Sequence, residues 1–138
     1  MTELLLAGAE YLSDEFVVLD GDGRVHPYRR PLHLRDELGM RTLASPEDFG
    51  ANGLSSICDP AVLLSTWYEP GAQWAPERLS PGEATLRLLS NMPAARRSSE
   101  GVIQVLTTTC TKIRALEGPR GEACDTVSSL LESIHWRA

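Results

Sequence analysis

Lysine is nearly missing from this chain: Lys112 is the only one in 138 residues, and arginine supplies almost all the positive charge. A phosphate-binding loop of the Gly-x-x-x-x-Gly-Lys-Ser/Thr type needs a lysine for the terminal phosphates and a run of backbone N–H groups to cradle them. No such string occurs. Cysteine is scarce as well. Cys58, Cys110 and Cys124 are odd in number, and none is spaced from another as zinc ligands are. Inert thiols in a reducing compartment are the expectation, and the cytoplasm is the expected location. No apolar run approaches a membrane span. Leu4-Leu5-Leu6-Ala7 is too short for a signal-peptide core and has no basic lead. Positive charge is in deficit overall, 13 Lys and Arg against 19 Asp and Glu, a formal net charge of −6. That balance argues against a nucleic-acid surface, which clusters cations against phosphates.

What is present is ordinary for a folded domain: 42% hydrophobic and 23% charged residues. The length suits a single domain over residues 1–138. Arginine is unevenly spread, with Arg24, Arg29, Arg30, Arg35 and Arg41 close together. A basic patch in an acidic protein suits a small phosphorylated ligand; a solvated strand face is the plainer alternative.

The N-terminal half reads as strands. Glu3 to Ala9 is helix-compatible, with Gly8 placed to cap it. Ala9 to Ser13 reads as a short strand. Phe16-Val17-Val18-Leu19 is a continuous apolar run that predicts a strand buried on both faces. Asp20-Gly21-Asp22-Gly23 is turn chemistry, and Arg24 to Tyr28 returns as the second arm of a hairpin. Pro31-Leu32-His33-Leu34-Arg35 alternates as a further strand. Asp36 to Asn52 mixes its signals and is expected to be a long loop with one helical turn near Pro46-Glu47-Asp48. Val62 to Tyr68 is the next strand.

Helices dominate the second half. Ser80-Pro81-Gly82-Glu83 is a capping box with proline at the first helical position, and Ala84, Leu88, Leu89 and Met92 trace one face behind it. A second helix should start near Ser98 or Ser99, with Val102, Ile103, Leu106 and Cys110 turned inward. Thr111 to Glu117 can leave that helix as a strand, Gly118-Pro119-Arg120-Gly121 reads as a turn, and Val127, Leu130, Leu131 and Ile134 mark a final amphipathic helix. The fold class is therefore α/β, a mixed sheet in the N-terminal half followed by helices.

Asp14 and Glu15 follow the first strand candidate. In α/β sheets ligands gather at the carboxyl ends of strands, where an acid can hold Mg²⁺ or take a proton from an attacking hydroxyl. Two solvated acids at a strand end are the alternative. His26, His33 and His135 read as surface or packed residues. Trp67, Tyr68 and Trp74 have a base-stacking alternative beside a packing role, and Ser13 and Thr107-Thr108-Thr109 show no nucleophile's partner.

Longer motifs weigh on that choice. Gly8-Ala9-Glu10-Tyr11-Leu12-Ser13-Asp14-Glu15-Phe16-Val17-Val18-Leu19-Asp20 is followed by Asp22-Gly23-Arg24-Val25-His26-Pro27 and Arg30-Pro31-Leu32-His33-Leu34-Arg35. Tyr68-Glu69-Pro70-Gly71-Ala72 and Leu79-Ser80-Pro81-Gly82-Glu83-Ala84 come later. Together and in this order, they resemble the part of HPr serine kinase-like proteins that follows the phosphate loop. The resemblance implies an incomplete P-loop kinase fold of the HPr kinase and PEP carboxykinase type. It implies Asp14 as base or metal ligand, with Glu15 in place of the family's second aspartate. Arg30 and Arg35 match basic positions and would neutralise phosphate oxygens. Arg29 stands where proline is common, and Trp67 where arginine often precedes the tyrosine.

Mg²⁺ and ATP are the implied cofactors, and a serine in a protein or peptide, or a small-molecule hydroxyl, the implied acceptor. In the family the phosphate loop and its helix come just before the Gly8-Ala9 segment, so Leu4 to Ala7 would be the last turns of that helix. Because phosphoryl transfer depends on positioning and charge stabilisation, the polypeptide alone is expected to lack useful kinase activity. A fragment of a full kinase, a non-catalytic binding or scaffolding module, and half of a split kinase completed by a partner chain all fit. Exposed sheet edges and an apolar patch would favour a homo-oligomer. Neither nucleic acid nor membrane is an expected partner.

Overall fold

A computed structural model describes residues 1–35, 38–51, 53, 56–93 and 100–135. The chain is mixed α/β, with four α-helices and three small sheets among these residues. It divides into two compact units. One comprises Met1–Asp20 and Val25–Cys58; the other comprises Gly21–Arg24 and Asp59–Ala138.

The first unit opens with helix α1 (Thr2–Leu6). Its end is closed by a left-handed Gly8 (φ 92), whose N–H bonds the Leu5 carbonyl while Ala9 N–H bonds that of Leu4. This is the paired arrangement that satisfies orphan carbonyls at a helix end, as the sequence leads one to expect of Gly8. β1 (Val18–Leu19) pairs antiparallel with β2 (Val25–His26), and β3 (Leu32–Arg35) with β4 (Arg41–Ala44). A 3-10 turn, Pro46–Phe49, follows β4 and is capped reciprocally by Ser45 and Asp48. Leu5, Tyr11, Leu32 and Ala51 form the core, with Leu34 and Phe49 against it. The alternation of β3 explains this: Leu32 and Leu34 face the core, His33 and Arg35 face out.

The second unit is built on β5 (Val62–Tyr68), β6 (Glu77–Arg78) and β7 (Arg114–Arg120), in the order β5-β7-β6. β5 and β7 are parallel over seven residues, Val62 opposite Arg114 and Tyr68 opposite Arg120. Such a pair needs a crossover, which α2 (Pro81–Ser90) and α3 (Glu100–Lys112) provide. α4 (Ala123–His135) follows β7. The capping box at Ser80 and Glu83 is present in full. Ala84, Cys110 and Ala115 are the centre of this core, with Leu63, Leu79, Leu88 and Ile113 packed around them. Gly23 (φ 81) belongs to this unit and lies so close to Thr109 that a side chain there would collide with it.

Several expectations are corrected. Phe16 to Leu19 is not a strand buried on both faces. Only Val18 and Leu19 are paired, and Phe16, Val17 and Val18 are 42%, 70% and 40% exposed. Their run of apolar side chains carried no period that could separate core from surface. Ala9 to Ser13 contributes a single parallel bridge, Tyr11 to Gly53. The long loop contains β4, whose exposed Arg41-Thr42-Leu43 offers no apolar alternation. Its helical turn at Pro46 is present. Ile103 faces out at 46% exposure, while Thr109 is buried beside Leu106 and Cys110. The start near Ser98 and Ser99 lies outside the described residues.

Gly118-Pro119-Arg120 is strand rather than turn. Arg120's carbonyl bonds Glu69 N–H toward β5, while Ala115's bonds Leu79 N–H on the β6 side. Alternation then points the Pro119 nitrogen to the β6 side, beyond the end of β6 opposite Leu116 and Glu117, where no ladder donor is missed.

Candidate functional site

Asp14 and Glu15 stand on the segment between Tyr11 and β1, not at the end of a regular strand. Tyr11 anchors that segment. It is 1% exposed, and its hydroxyl donates to the carbonyl of Arg30 at 2.7 Å. The next residues therefore run against the outward face of β3. Asp14 is half-buried, and its Oδ2 accepts a long bond of 3.4 Å from the backbone N–H of His33. Glu15 is more exposed and engages two partners. Oε2 lies 3.5 Å from Arg30 Nη1, and Oε1 lies 3.2 Å from His33 Nδ1. Burial raises the Tyr11 phenol above its ordinary value, and the nearby Asp14 carboxylate raises it further. Beside these acids, Ser13 Oγ is buried and has no hydrogen-bond partner among the described residues. A buried hydroxyl in that condition calls for a water or a ligand atom.

Of the four residues singled out from sequence, Asp14, Glu15 and Arg30 come together. Arg35 forms no ion pair among the described residues. It shares the outward face of β3 with His33, two residues along, and stands directly opposite Arg41 of β4. Like charges directly opposed across a ladder repel, and an anion between them would relieve that repulsion. His33 is the member that sequence reasoning set aside. Its strand alternation placed it on the same face as Arg35, and that was the available signal.

Neither pairing at Glu15 is strong on its own account. Arg30 and Glu15 side chains are 43% and 42% exposed, and pairs of that kind contribute about 0–1 kcal/mol. The cluster is thus free to rearrange around a ligand. Among the described residues no group of three or more His, Cys, Asp or Glu side chains is arranged to hold a metal unaided. Arg30 also lines a cavity of about 420 Å³ bounded by Tyr11, Arg29 and the Ser45–Glu47 turn.

In the second unit, the carboxyl ends of the parallel strands hold a smaller polar group. The Tyr68 hydroxyl donates to Glu122, and the Arg120 guanidinium lies over the Tyr68 ring at 5.6 Å. The bond to Glu122 raises the Tyr68 phenol. Trp74, a stacking candidate, donates instead to Ser133 of α4 at 3.1 Å, and Trp67 is 49% exposed. Cys110 is buried, Cys58 half-buried and Cys124 exposed, all as free thiols.

The fold and site define a mixed α/β protein with a carboxylate and guanidinium cluster on the outer face of a β-ribbon. No family model, no curated protein and no solved structure matches the chain. No helix among the described residues is long and apolar enough to cross a membrane.

Proposed function

We propose that this chain carries the acceptor-side half of an HPr-kinase-like phosphotransfer site, with its fold part of a P-loop kinase-like α/β architecture. The observation that carries the reading is the meeting of Asp14 and Glu15 with Arg30 and His33, beside a Ser13 hydroxyl that has no partner among the described residues. Opposite charges brought together at an accessible surface suit a group that passes a phosphoryl unit to a hydroxyl. The parallel β5 and β7 pair with its helical crossover supports the architecture, since sheets of such kinases are assembled from units of this kind.

In this reading Asp14 takes the proton of the attacking hydroxyl, and Glu15 orients it or shares the metal. Arg30 and Arg35 receive phosphate oxygens, where guanidinium forks bind in pairs. Mg²⁺ commonly takes one or two carboxylates and completes its shell with water and phosphate oxygens. Asp14 and Glu15 would supply such carboxylates, with Glu15 releasing Arg30 and His33. When bound, Mg²⁺ supplies neutralisation of charge on the transferring group. The 138 residues contain no phosphate-loop string. Nucleotide binding and turnover are therefore assigned only to a site completed by such a loop from outside these residues. The acceptor is a serine in a protein or peptide, or a small-molecule hydroxyl.

A second reading draws on Glu15. Both its oxygens are already engaged, by Arg30 and by His33, which favours a non-catalytic binding or scaffolding module in which the cluster only shapes a surface.

Manganese, as a paramagnetic substitute for magnesium, separates the two. Added to the full chain with phosphate, Mn²⁺ should broaden the amide signals of Ser13, Asp14, Glu15 and His33. That broadening should vanish in the Asp14→Asn, Glu15→Gln double variant. Broadening that is absent, or that survives the double substitution, removes the phosphotransfer reading and leaves the binding module.

A further inference from the structure

The cavity beside Arg30 has a construction of its own, and it goes beyond the phosphotransfer reading without resting on it. Its volume of about 420 Å³ falls within the range of small-molecule sites. Tyr11, Leu43 and Pro46 supply apolar wall; Arg29, Arg30 and Glu47 supply charge. Two guanidinium groups and one carboxylate line it, and because Arg30 is shared with Glu15, Arg29 is the cation that a single negative charge would meet.

Arg29 is held there by an absence. Its guanidinium lies on the Cα of Gly53, so close that Nη2, Cζ and Nε all occupy the space a Cβ would need. Any side chain at position 53 would push the cation away. Glu47 is kept in its charged form by the Ser45 hydroxyl and by its own backbone, with Arg29 adding to the effect. Glu47 lines the same cavity as Arg29, and its carboxylate can accept a hydrogen bond from a ligand hydroxyl or amine.

We propose that this cavity binds a small organic monoanion, a carboxylate or monoanionic phosphate bearing a neighbouring hydroxyl or amino group. The anionic head sits on Arg29 and Arg30, the donor group on Glu47, and the carbon body against Tyr11, Leu43 and Pro46. A forked guanidinium matches the paired oxygens of either head group.

Titration of the full chain with lactate and with inorganic phosphate, followed by amide chemical shifts, tests this. Saturable shifts are expected at Tyr11, Leu43 and Ser45; phosphate active alone would mean a head-group site without a body pocket, against the proposal. Arg29→Ala should weaken lactate binding about tenfold or more, in line with loss of a paired charged bond. Gly53→Ala retains every charge yet displaces Arg29, and should weaken it similarly. Arg29→Lys, which preserves charge and solubility, should bind less well than the wild type because the fork is lost. Arg78→Ala, in the other unit, should change nothing. Absence of saturable binding, or equal losses in Arg29→Ala and Arg78→Ala, would overturn the assignment.

Discussion

The Tyr11 hydroxyl donates a 2.7 Å hydrogen bond to the carbonyl of Arg30, nineteen residues further along the chain. This one contact fixes the segment that carries Asp14 and Glu15 against the strand that carries His33 and Arg35. It also makes Arg30 common to the acidic cluster and the neighbouring cavity.

Removing that hydroxyl tests its role. Tyr11→Phe leaves the ring in the core but the Arg30 carbonyl without its donor, and stability should fall by about 0.5–1.5 kcal/mol. Urea denaturation measures the loss. Amide shifts at Asp14, Glu15 and His33 should move in the same variant, because their registration depends on Tyr11.

Alkaline pH probes the same residue. The Tyr11 phenol is raised, chiefly by burial and then by Asp14, so the folded state holds its proton more tightly than the unfolded chain. Its contribution is complete below the ordinary tyrosine value of 10.0 and is lost as pH rises through the folded value. Tyr68 is raised as well, by its bond to Glu122, and acts with the same sign. Absorbance from ionised Tyr11 and Tyr68 should rise late, together with loss of structure.

Acid acts through the second unit. Glu83 is lowered by the Ser80 hydroxyl and backbone N–H; Glu117 is lowered by Arg87, bonded at 2.6 and 2.9 Å, and by Ser65. Lowered carboxyls stabilise the fold above the ordinary glutamate value of 4.5 and cease to do so as pH falls through their folded values. The midpoint of urea unfolding should drop in that acid window, and less so in Glu83→Gln. Ser80→Ala should cost about 1 kcal/mol at neutral pH through the lost cap.

Two glycines should respond in opposite directions. A Cβ on Gly121 would collide with the Ala72 carbonyl oxygen, so Gly121→Ala should destabilise by about 1–3 kcal/mol. Gly82 in the first turn of α2 has open space around it, and Gly82→Ala should stabilise by up to about 1 kcal/mol. Thermal unfolding of the two variants checks both signs.

Self-association is the fifth expectation. β5 has a ladder partner on one side only among the described residues, and its sequence Val62–Tyr68 contains no charge, proline or glycine. Such an edge is a template for antiparallel pairing with a second copy about a two-fold axis. Sedimentation at micromolar concentration should show dimer, and Thr66→Lys should yield monomer. A monomeric wild type would refute it.

Legibility followed the range of the interaction. The Ser80 capping box, the β5 strand and the Gly8 helix end depend on neighbours a few residues away, and all three are present as read. β4 escaped notice because its Arg41, Thr42 and Leu43 are exposed and carry no period. The Gly118–Arg120 turn failed for a different reason: proline and glycine punctuate local sequence, but a strand tolerates them where it extends past its neighbour.

Local sterics, hydrophobic patterning and side-chain chemistry account for the α/β class, the caps and the residues able to carry charge. Which charges meet depends on packing between distant segments. Arg30 and His33 face Glu15 while Arg35 does not, and Arg29 lies on Gly53, because these depend on the path the chain takes between residues distant in sequence. The bond from Tyr11 to Arg30 helps set that path, and it joins residues nineteen apart.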